Sequence, residues 1–226
     1  MIESRGTAAV ILAAGASTRM SGSSKLLLPF AHRTILETVV ARARAAELAP
    51  LIAVVGSPYD AVWRTLRSTP VRPDRVVVNR RSAEGIAGSV AAGVEAAMAE
   101  EVDSVAVLLA DEPGIGVDSI RRVIAGFRRS LRAAVRAQYA DRPGHPVVLS
   151  RSVFELVLGL PRAANVLREL SRAEHEVGIV QLHALAPIDV DTAEDYERAL
   201  NRLAPAPPEP AGMLPDAVAP PGFPHR

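Results

Sequence analysis

The chain has 226 residues, which is enough for one substantial α/β domain and marginal for two. Its hydrophobic fraction of 49%, charged fraction of 23% and net charge of +1 are typical of a soluble globular protein. The low aromatic content (4%) and the lack of a basic stripe argue against nucleic-acid binding, and the absence of cysteine excludes disulfides, thiolate metal sites and a cysteine nucleophile. No apolar run reaches about eighteen residues and the N-terminus lacks a signal-peptide core, so we expect a cytoplasmic protein without a membrane span.

Short apolar runs alternate with stretches of helical periodicity along the first half of the chain. The runs predict buried strands at Thr7–Ala13, Leu51–Val55, Arg75–Val78 and Val105–Leu109. The periodic stretches predict a helix after Thr34, a helix after Gly85 and a helix from about Asp118 to Arg129. Continuously apolar strands alternating with helices are typical of a mostly parallel, doubly wound sheet covered on both faces. We therefore predict one three-layer α/β/α domain of the Rossmann-like kind.

The pattern becomes less regular after about residue 130. Strands are predicted at Ala134–Tyr139, Pro146–Leu149 and Gly178–Leu182. Between them, helices are predicted at Val153–Leu158 and Ala164–Arg172. Thr192 and Asp195 resemble an N-cap and an acidic N3 residue, which predicts a last helix. The domain is expected to occupy residues 1–203. Residues 204–226 hold eight of the eighteen prolines and are expected to form a disordered, partly polyproline tail.

The loop after the first strand carries the strongest chemical signal. Lys25 is the only lysine among 26 Lys and Arg residues, and it follows a segment rich in glycine and serine. Small residues let backbone N–H groups approach phosphate oxygens, and Arg19 and Lys25 add positive charge. Leu26 follows Lys25 where a Walker loop requires Ser or Thr, and the glycine spacing does not fit the dinucleotide fingerprint. The residues alone predict a phosphate-binding loop of another kind, although a single lysine could also stand there by accident.

This loop resembles the opening motif of the molybdopterin nucleotidyltransferases, which belong to a glycosyltransferase-A-like superfamily. The matching residues are Leu12-Ala13-Ala14-Gly15-Ala16-Ser17-Thr18-Arg19-Met20, Gly22 and Lys25-Leu26-Leu27-Leu28-Pro29. Further matches follow in the family's order at Asn79, Glu84-Gly85-Ile86, Ser89, Leu108–Pro113, Pro143–Val147 and Asp189–Asp195. The resemblance covers about residues 7–203 and implies the glycosyltransferase-A-like fold.

The resemblance implies a Mg²⁺-dependent nucleotidyltransferase. Ala13-Ala14-Gly15 resembles the cytidylyl-transferring branch, because the guanylyl branch usually carries Ala-Gly-Gly there. The implied reaction transfers CMP from CTP to the terminal phosphate of molybdopterin and releases pyrophosphate. A molybdoenzyme or its chaperone is an expected partner.

The resemblance also assigns roles to residues. It implies that Arg19, Lys25 and Asp111 act in catalysis and that Asp111 and Asp191 bind Mg²⁺. Asp189 competes with Asp191, because residues two apart on a strand share a face. The nucleotide and substrate contacts that it implies are Leu12, Ala13, Ala14, Gly15, Ser17, Asn79, Gly85, Ser89 and His145.

The chain departs from the family pattern at three places, and the third leaves the acceptor open. Ser21 lengthens the loop by one residue, and Glu112 stands where the family has Gln, which adds a carboxylate near a polyphosphate site. A family stretch associated with the pterin, Gly-Asp-x-Gly-Ala-Arg, is represented only by Gly159–Ala164, without the acidic residue and the second glycine. Two alternatives therefore remain: a nucleotidyltransferase for another phosphorylated acceptor such as a sugar phosphate, and a non-catalytic nucleotide-binding maturation factor.

Overall fold

A computed structural model describes residues 6–15, 24–56 and 60–203. The strands are β1 (Thr7–Ala13), β2 (Pro29–Phe30), β3 (Arg33–Thr34), β4 (Leu51–Val55), β5 (Arg75–Val78), β6 (Ser104–Leu109), β7 (Ala134–Gln138), β8 (Pro143–Ser150) and β9 (Val177–Gln181). The α-helices are α1 (Ile35–Ala45), α2 (Asp60–Ser68), α3 (Ile86–Met98), α4 (Val117–Arg129), α5 (Phe154–Leu158), α6 (Val166–Arg172) and α7 (Ala193–Asn201). Ser17, Arg19 and the tail 204–226 lie outside the described residues, so the expectations for them stay predictions.

Seven strands form one mixed sheet in the order β5-β4-β1-β6-β8-β7-β9. Strand β1 is parallel to both of its neighbours, β4 and β6, and β4 is parallel to β5. Strand β8 is antiparallel to both β6 and β7, whereas β9 is parallel to β7. The predicted mostly parallel α/β/α architecture is confirmed, with β8 as the one reversed strand of this sheet.

Two apolar layers cover the sheet, because successive residues of a strand point to opposite faces. On one face, Ala9 and Ile11 of β1 pack in a core with residues of α1, α2, α4 and α7. On the other face, Val10 and Leu12 pack in a core with residues of α3, α5 and α6. Helix α3 lies so close to the sheet that a Cβ on Gly93 would overlap Cγ1 of Val10. The fold therefore buries β1 completely and leaves only the ends of that strand free to carry chemistry.

Most predicted elements are present, and the differences have local causes. Helix α2 was not predicted. Strand β8 begins at Pro143, three residues before the predicted start at Pro146. The sequence did not predict this part of the strand because Pro143–Pro146 has the composition of a turn, but the segment pairs with β7. Helix α6 begins at Val166 after an N-cap by Asn165, whose side chain accepts a hydrogen bond from the Arg168 N–H. The predicted cap at Thr192 is confirmed as a full capping box with Asp195.

Candidate active site

The carboxyl ends of β1 and β6 bring the loop motif and the acidic motif together. The two strands run side by side in parallel, with Leu12 opposite Leu109, and the Ala110 N–H donates to the Leu12 carbonyl (3.1 Å). The Val190 N–H donates to the Asp111 carbonyl (2.9 Å), which draws the late segment 189–191 to the same edge. Residues far apart in the chain therefore meet at this edge, where open α/β sheets bind their ligands.

Lys25 stands between two carboxylates at this edge. Its Nζ lies 2.7 Å from Oδ2 of Asp111 and 2.7 Å from Oδ1 of Asp191. The lysine side chain is only 7% exposed, and it begins a short 3-10 helix whose Leu26 is anchored in the core. Burial by itself lowers the pKa of Lys25, but the charges and hydrogen bonds of Asp111 and Asp191 outweigh it and raise the pKa above its usual value. The ammonium is therefore held charged and in a fixed place.

The structure separates the two late aspartates. Asp191 reaches Lys25 and is 51% exposed, whereas Oδ2 of Asp189 lies 3.0 Å from Nη2 of Arg142. The sequence left the choice between the two open, and in the structure they have different partners, in a segment (183–191) that is not a strand. Asp111 and Asp191 converge on one point, and Asp189 belongs to a neighbouring ion pair.

The sequence-based expectation that Glu112 adds a negative charge to the site was wrong. It is only 2% exposed, and its Oε2 has no hydrogen-bond partner among the described residues. Burial, followed by the nearby charge of Asp189, raises the pKa of Glu112 to about 9. The side chain is therefore protonated at neutral pH and, contrary to the expectation, adds no negative charge beside the site.

The candidate nucleotide contacts lie on β1 and around the start of α3. Leu12, Ala13 and Ala14 are buried at the end of β1, and Gly15 is exposed directly after them. Asn79 and Ser89 are both buried, and Nδ2 of Asn79 donates to Oγ of Ser89 (3.0 Å). The structure therefore places Leu12–Gly15 at the end of β1 and joins Asn79, after β5, to Ser89 in the first turn of α3.

The segment Gly159–Ala164 packs on the start of α3. Gly85 has φ of 138°, and a Cβ at this position would overlap the Arg162 carbonyl oxygen. Arg162 also forms an ion pair with Glu84 (3.4 Å). The glycine is therefore required by its own backbone conformation and by this close approach, whichever ligand binds nearby.

His145 lies at the start of β8 and lines a cavity with Leu12. Its carbonyl accepts a hydrogen bond from the Tyr139 hydroxyl (2.7 Å), which fixes the local backbone. Burial lowers the pKa of His145 to about 4, so the imidazole is neutral at physiological pH. A neutral imidazole can donate or accept a hydrogen bond to a ligand but supplies no positive charge.

The donor set fits Mg²⁺ bound together with a substrate. Within residues 6–15, 24–56 and 60–203, no group of three or more His, Cys, Asp or Glu residues could hold a metal ion. Mg²⁺ is usually held by one or two carboxylates, substrate phosphates and water. Asp111 and Asp191 supply two carboxylates within reach of one point, so the ion would need the triphosphate to complete its shell.

A buried lysine and two convergent aspartates at the edge of a mostly parallel sheet fit a nucleotidyltransferase. Residues 9–177 match the model of the MobA-like NTP transferase domain, and the chain belongs to that family. In the described part of the chain, no helix is both long and apolar enough to cross a membrane.

Relatives in the family carry different names. Nicotine blue oxidoreductase of Paenarthrobacter nicotinovorans is 30% identical over 145 residues, which is 62% of this chain and 69% of that protein. Molybdenum cofactor cytidylyltransferase of Escherichia coli K12 is 27% identical over 195 residues, which is 85% of this chain and 95% of that protein. The bifunctional protein GlmU of Bradyrhizobium diazoefficiens is 33% identical over 143 residues; the match covers 62% of this chain and spans about a third (31%) of that relative's length.

Solved structures share the whole domain. Rv0371c of Mycobacterium tuberculosis H37Rv is 28% identical, with a TM-score of 0.74 and coverage of 88% of this chain and 98% of that chain. The same protein is known in a complex with manganese, with a TM-score of 0.70 and 28% identity over 87% of this chain and 98% of that chain. A divalent cation therefore binds a protein that is similar to this one.

Proposed function

We propose that this protein transfers CMP from CTP to the terminal phosphate of molybdopterin and releases pyrophosphate. The observation that carries the proposal is the position of Lys25, held at 2.7 Å from both Asp111 and Asp191 beside the end of β1. The similarity to a molybdenum cofactor cytidylyltransferase over 85% of the chain supports the acceptor, and Ala13-Ala14-Gly15 supports CTP. On this basis we also propose that the protein works in the cytoplasm and meets a molybdoenzyme or its chaperone.

The chemistry requires charge neutralisation and alignment more than proton transfer. The attacking group is a phosphomonoester, whose second pKa is about 6, so it is largely ionised at neutral pH and needs no general base. Lys25 would neutralise the triphosphate and stabilise the departing pyrophosphate, together with Arg19 and the loop N–H groups. Asp111 and Asp191 would hold Mg²⁺, which when bound neutralises the phosphate charge.

The neutral Glu112 is consistent with this chemistry. A carboxylate next to Asp111 would repel the polyphosphate, whereas a protonated carboxyl behaves like the glutamine that the family usually has there. The substitution therefore preserves the charge balance that phosphate binding needs.

A second candidate is transfer to another phosphorylated acceptor such as a sugar phosphate. It is favoured by the missing acidic residue and glycine in Gly159–Ala164, and by the packing of that segment on Gly85 of the α3 N-terminus. A third candidate, a non-catalytic maturation factor, would bind CTP and a molybdoenzyme subunit without releasing pyrophosphate.

The test is a pyrophosphate-release screen with CTP, GTP, ATP and UTP against molybdopterin and a small set of sugar phosphates, each with Mg²⁺ and with EDTA. We expect release only with CTP, molybdopterin and the metal. Turnover with a sugar phosphate alone would select the second candidate. CTP binding by calorimetry without release from any pair would select the third.

A further inference from the structure

An apolar cavity of about 290 Å³ lies on the side of the sheet that α3 and α6 cover. Its walls are mainly aliphatic and come from Leu12, Val90, Val107, Val147, Leu149 and Leu167. Its volume is close to the lower end of the range for small-molecule sites. The cavity can therefore enclose an apolar ring system, and it begins at the same end of β1 that carries the loop motif.

Arg136 lines this cavity from the middle of β7. Its neighbours Val135 and Ala137 point into the core on the opposite face, so the arginine side chain faces the α3 side of the sheet. Across the sheet it stands level with Val147 of β8 and Ile179 of β9, both of which are aliphatic. Arg136 is thus a half-buried charge in aliphatic surroundings.

No described residue pairs with the guanidinium of Arg136. Within the ranges that the structure describes, no hydrogen bond or ion pair satisfies it, and none of the described residues lining the cavity is acidic. By contrast, the half-buried Arg42 donates to the Ile115 carbonyl and Arg142 pairs with Asp189. A guanidinium stays charged at all ordinary pH values, and a charge half-removed from water is costly unless it is paired. A ligand anion would satisfy Arg136.

Two further polar side chains, Asn165 and His145, line the cavity and can hydrogen-bond to a ligand. Asn165 uses Oδ1 to accept from the Arg168 N–H (3.0 Å), which leaves its amide N–H groups for a ligand. His145 is neutral at physiological pH and is available as a hydrogen-bonding group. The described lining therefore offers one positive charge, two neutral polar groups and an apolar wall.

We propose that this cavity holds the body of the acceptor, and that Arg136 selects acceptors carrying a second anionic group besides the phosphate that attacks CTP. The acceptor class is then a mostly apolar or aromatic ring system with a carboxylate, phosphate or thiolate substituent. The identification of the ligand as an acceptor rests on the proposed transferase function. The preference of the cavity for an anionic ring compound can be measured without turnover.

The experiment uses 2-naphthoate and its uncharged counterpart 2-naphthamide as probes, titrated into the full-length protein by calorimetry in EDTA. In Arg136→Met, we expect naphthoate to bind about tenfold to a hundredfold more weakly than in the wild type, with naphthamide changed by less than about twofold. Arg136→Lys should keep part of the preference because the charge remains. Arg129→Met, which removes an exposed arginine at the end of α4, should bind both probes like the wild type.

The proposal would be overturned by a lack of naphthoate binding to the wild type, by equal affinities for the two probes, or by a lack of effect of Arg136→Met. Circular dichroism and thermal unfolding establish that each variant is folded before titration. A further titration with CTP and Ca²⁺ present tests whether the two ligands bind together. Displacement of naphthoate by CTP would assign the cavity to the nucleotide and overturn the proposal. Failure of CTP to bind at all would contradict the proposed transferase function, but it would not contradict the preference of the cavity for an anionic ligand.

Discussion

Replacing Glu112 by Gln should stabilise the protein in a pH-dependent way. The folded protein holds the pKa of Glu112 at about 9, chiefly because the side chain is buried, while the ordinary value is 4.5. Below pH 4.5 both the folded and the unfolded chain carry the proton, so this contribution to stability is fully present. Between 4.5 and 9 only the unfolded chain loses the proton, and the free energy of unfolding falls as the pH rises. Glutamine cannot ionise, so the variant lacks this loss.

The magnitude follows from the size of the shift. Each pH unit in this window changes the free energy of unfolding by about 1.4 kcal/mol. Because the unfolded carboxyl is already partly ionised at pH 5, the wild type should lose about 3 to 4 kcal/mol relative to Glu112→Gln between pH 5 and pH 8. That difference is a large part of the stability of a typical domain.

The assay is urea unfolding at pH 5.0, 6.5 and 8.0 in EDTA, followed by circular dichroism and by fluorescence of Trp63, the single tryptophan. Other titrating groups change the stability of both proteins alike, so the measured quantity is the difference between them at each pH. Glu197→Gln, an exposed position on α7, is the matched control and should show no such divergence. Parallel stability curves for the wild type and Glu112→Gln would refute the reasoning, because the carboxyl would then ionise in the folded protein as it does in the unfolded one.

Three further predictions concern the site and the core. Lys25→Arg should keep the fold but lose most pyrophosphate release, because a planar fork cannot replace a compact ammonium 2.7 Å from two carboxylates; near-normal turnover would show that the lysine is incidental. Asp191→Asn should weaken Mn²⁺ binding in the presence of CTP about tenfold or more by calorimetry, and Asp189→Asn, which disturbs the Arg142 pair instead, should have a smaller effect. Gly93→Ala should destabilise the protein by about 1 to 3 kcal/mol in urea, since overlap with Val10 outweighs the roughly 1 kcal/mol that alanine gains in a helix. Gly114→Ala, whose Cβ would meet Pro187 at an ordinary 3.6 Å, is its control, and equal stability of both variants would contradict the packing described for α3.

The strands of the first half could be predicted closely because each contains an uninterrupted apolar run. The predicted bounds of β1, β4 and β5 agree with the structure: β1 and β4 are buried along their whole length, and the edge strand β5 carries three half-buried valines after an exposed Arg75. Helix α2 was not predicted, although Val62 and Leu66 are four residues apart and both reach the core. The beginning of β8 escaped prediction because its prolines and glycine are typical of a turn.

Some features of the candidate site could likewise be predicted from the sequence, and others could not. Lys25 and Asp111 could be recognised from the motif alone, because both stand directly after segments that the sequence already marks as strand or loop. The difference between Asp189 and Asp191 could not be recognised, since it depends on an irregular segment that is held by the Asp111 carbonyl. The charge state of Glu112 could not be predicted from the sequence either, because it depends on burial and on Asp189, which lies 77 positions away in the chain.

The sequence by itself determined the fold class and the family resemblance, and it predicts a phosphate-binding loop. Those properties depend on local patterning: apolar runs, helical spacing, and small residues next to a lone lysine. Only the tertiary structure decided which carboxylates face Lys25, why Glu112 is neutral, and that Arg136 lines an apolar cavity with no partner among the residues that the structure describes. Each of these depends on the distance between side chains that are remote in the chain and on the water excluded around them, and both quantities are set by the strand order and the packing of the helices.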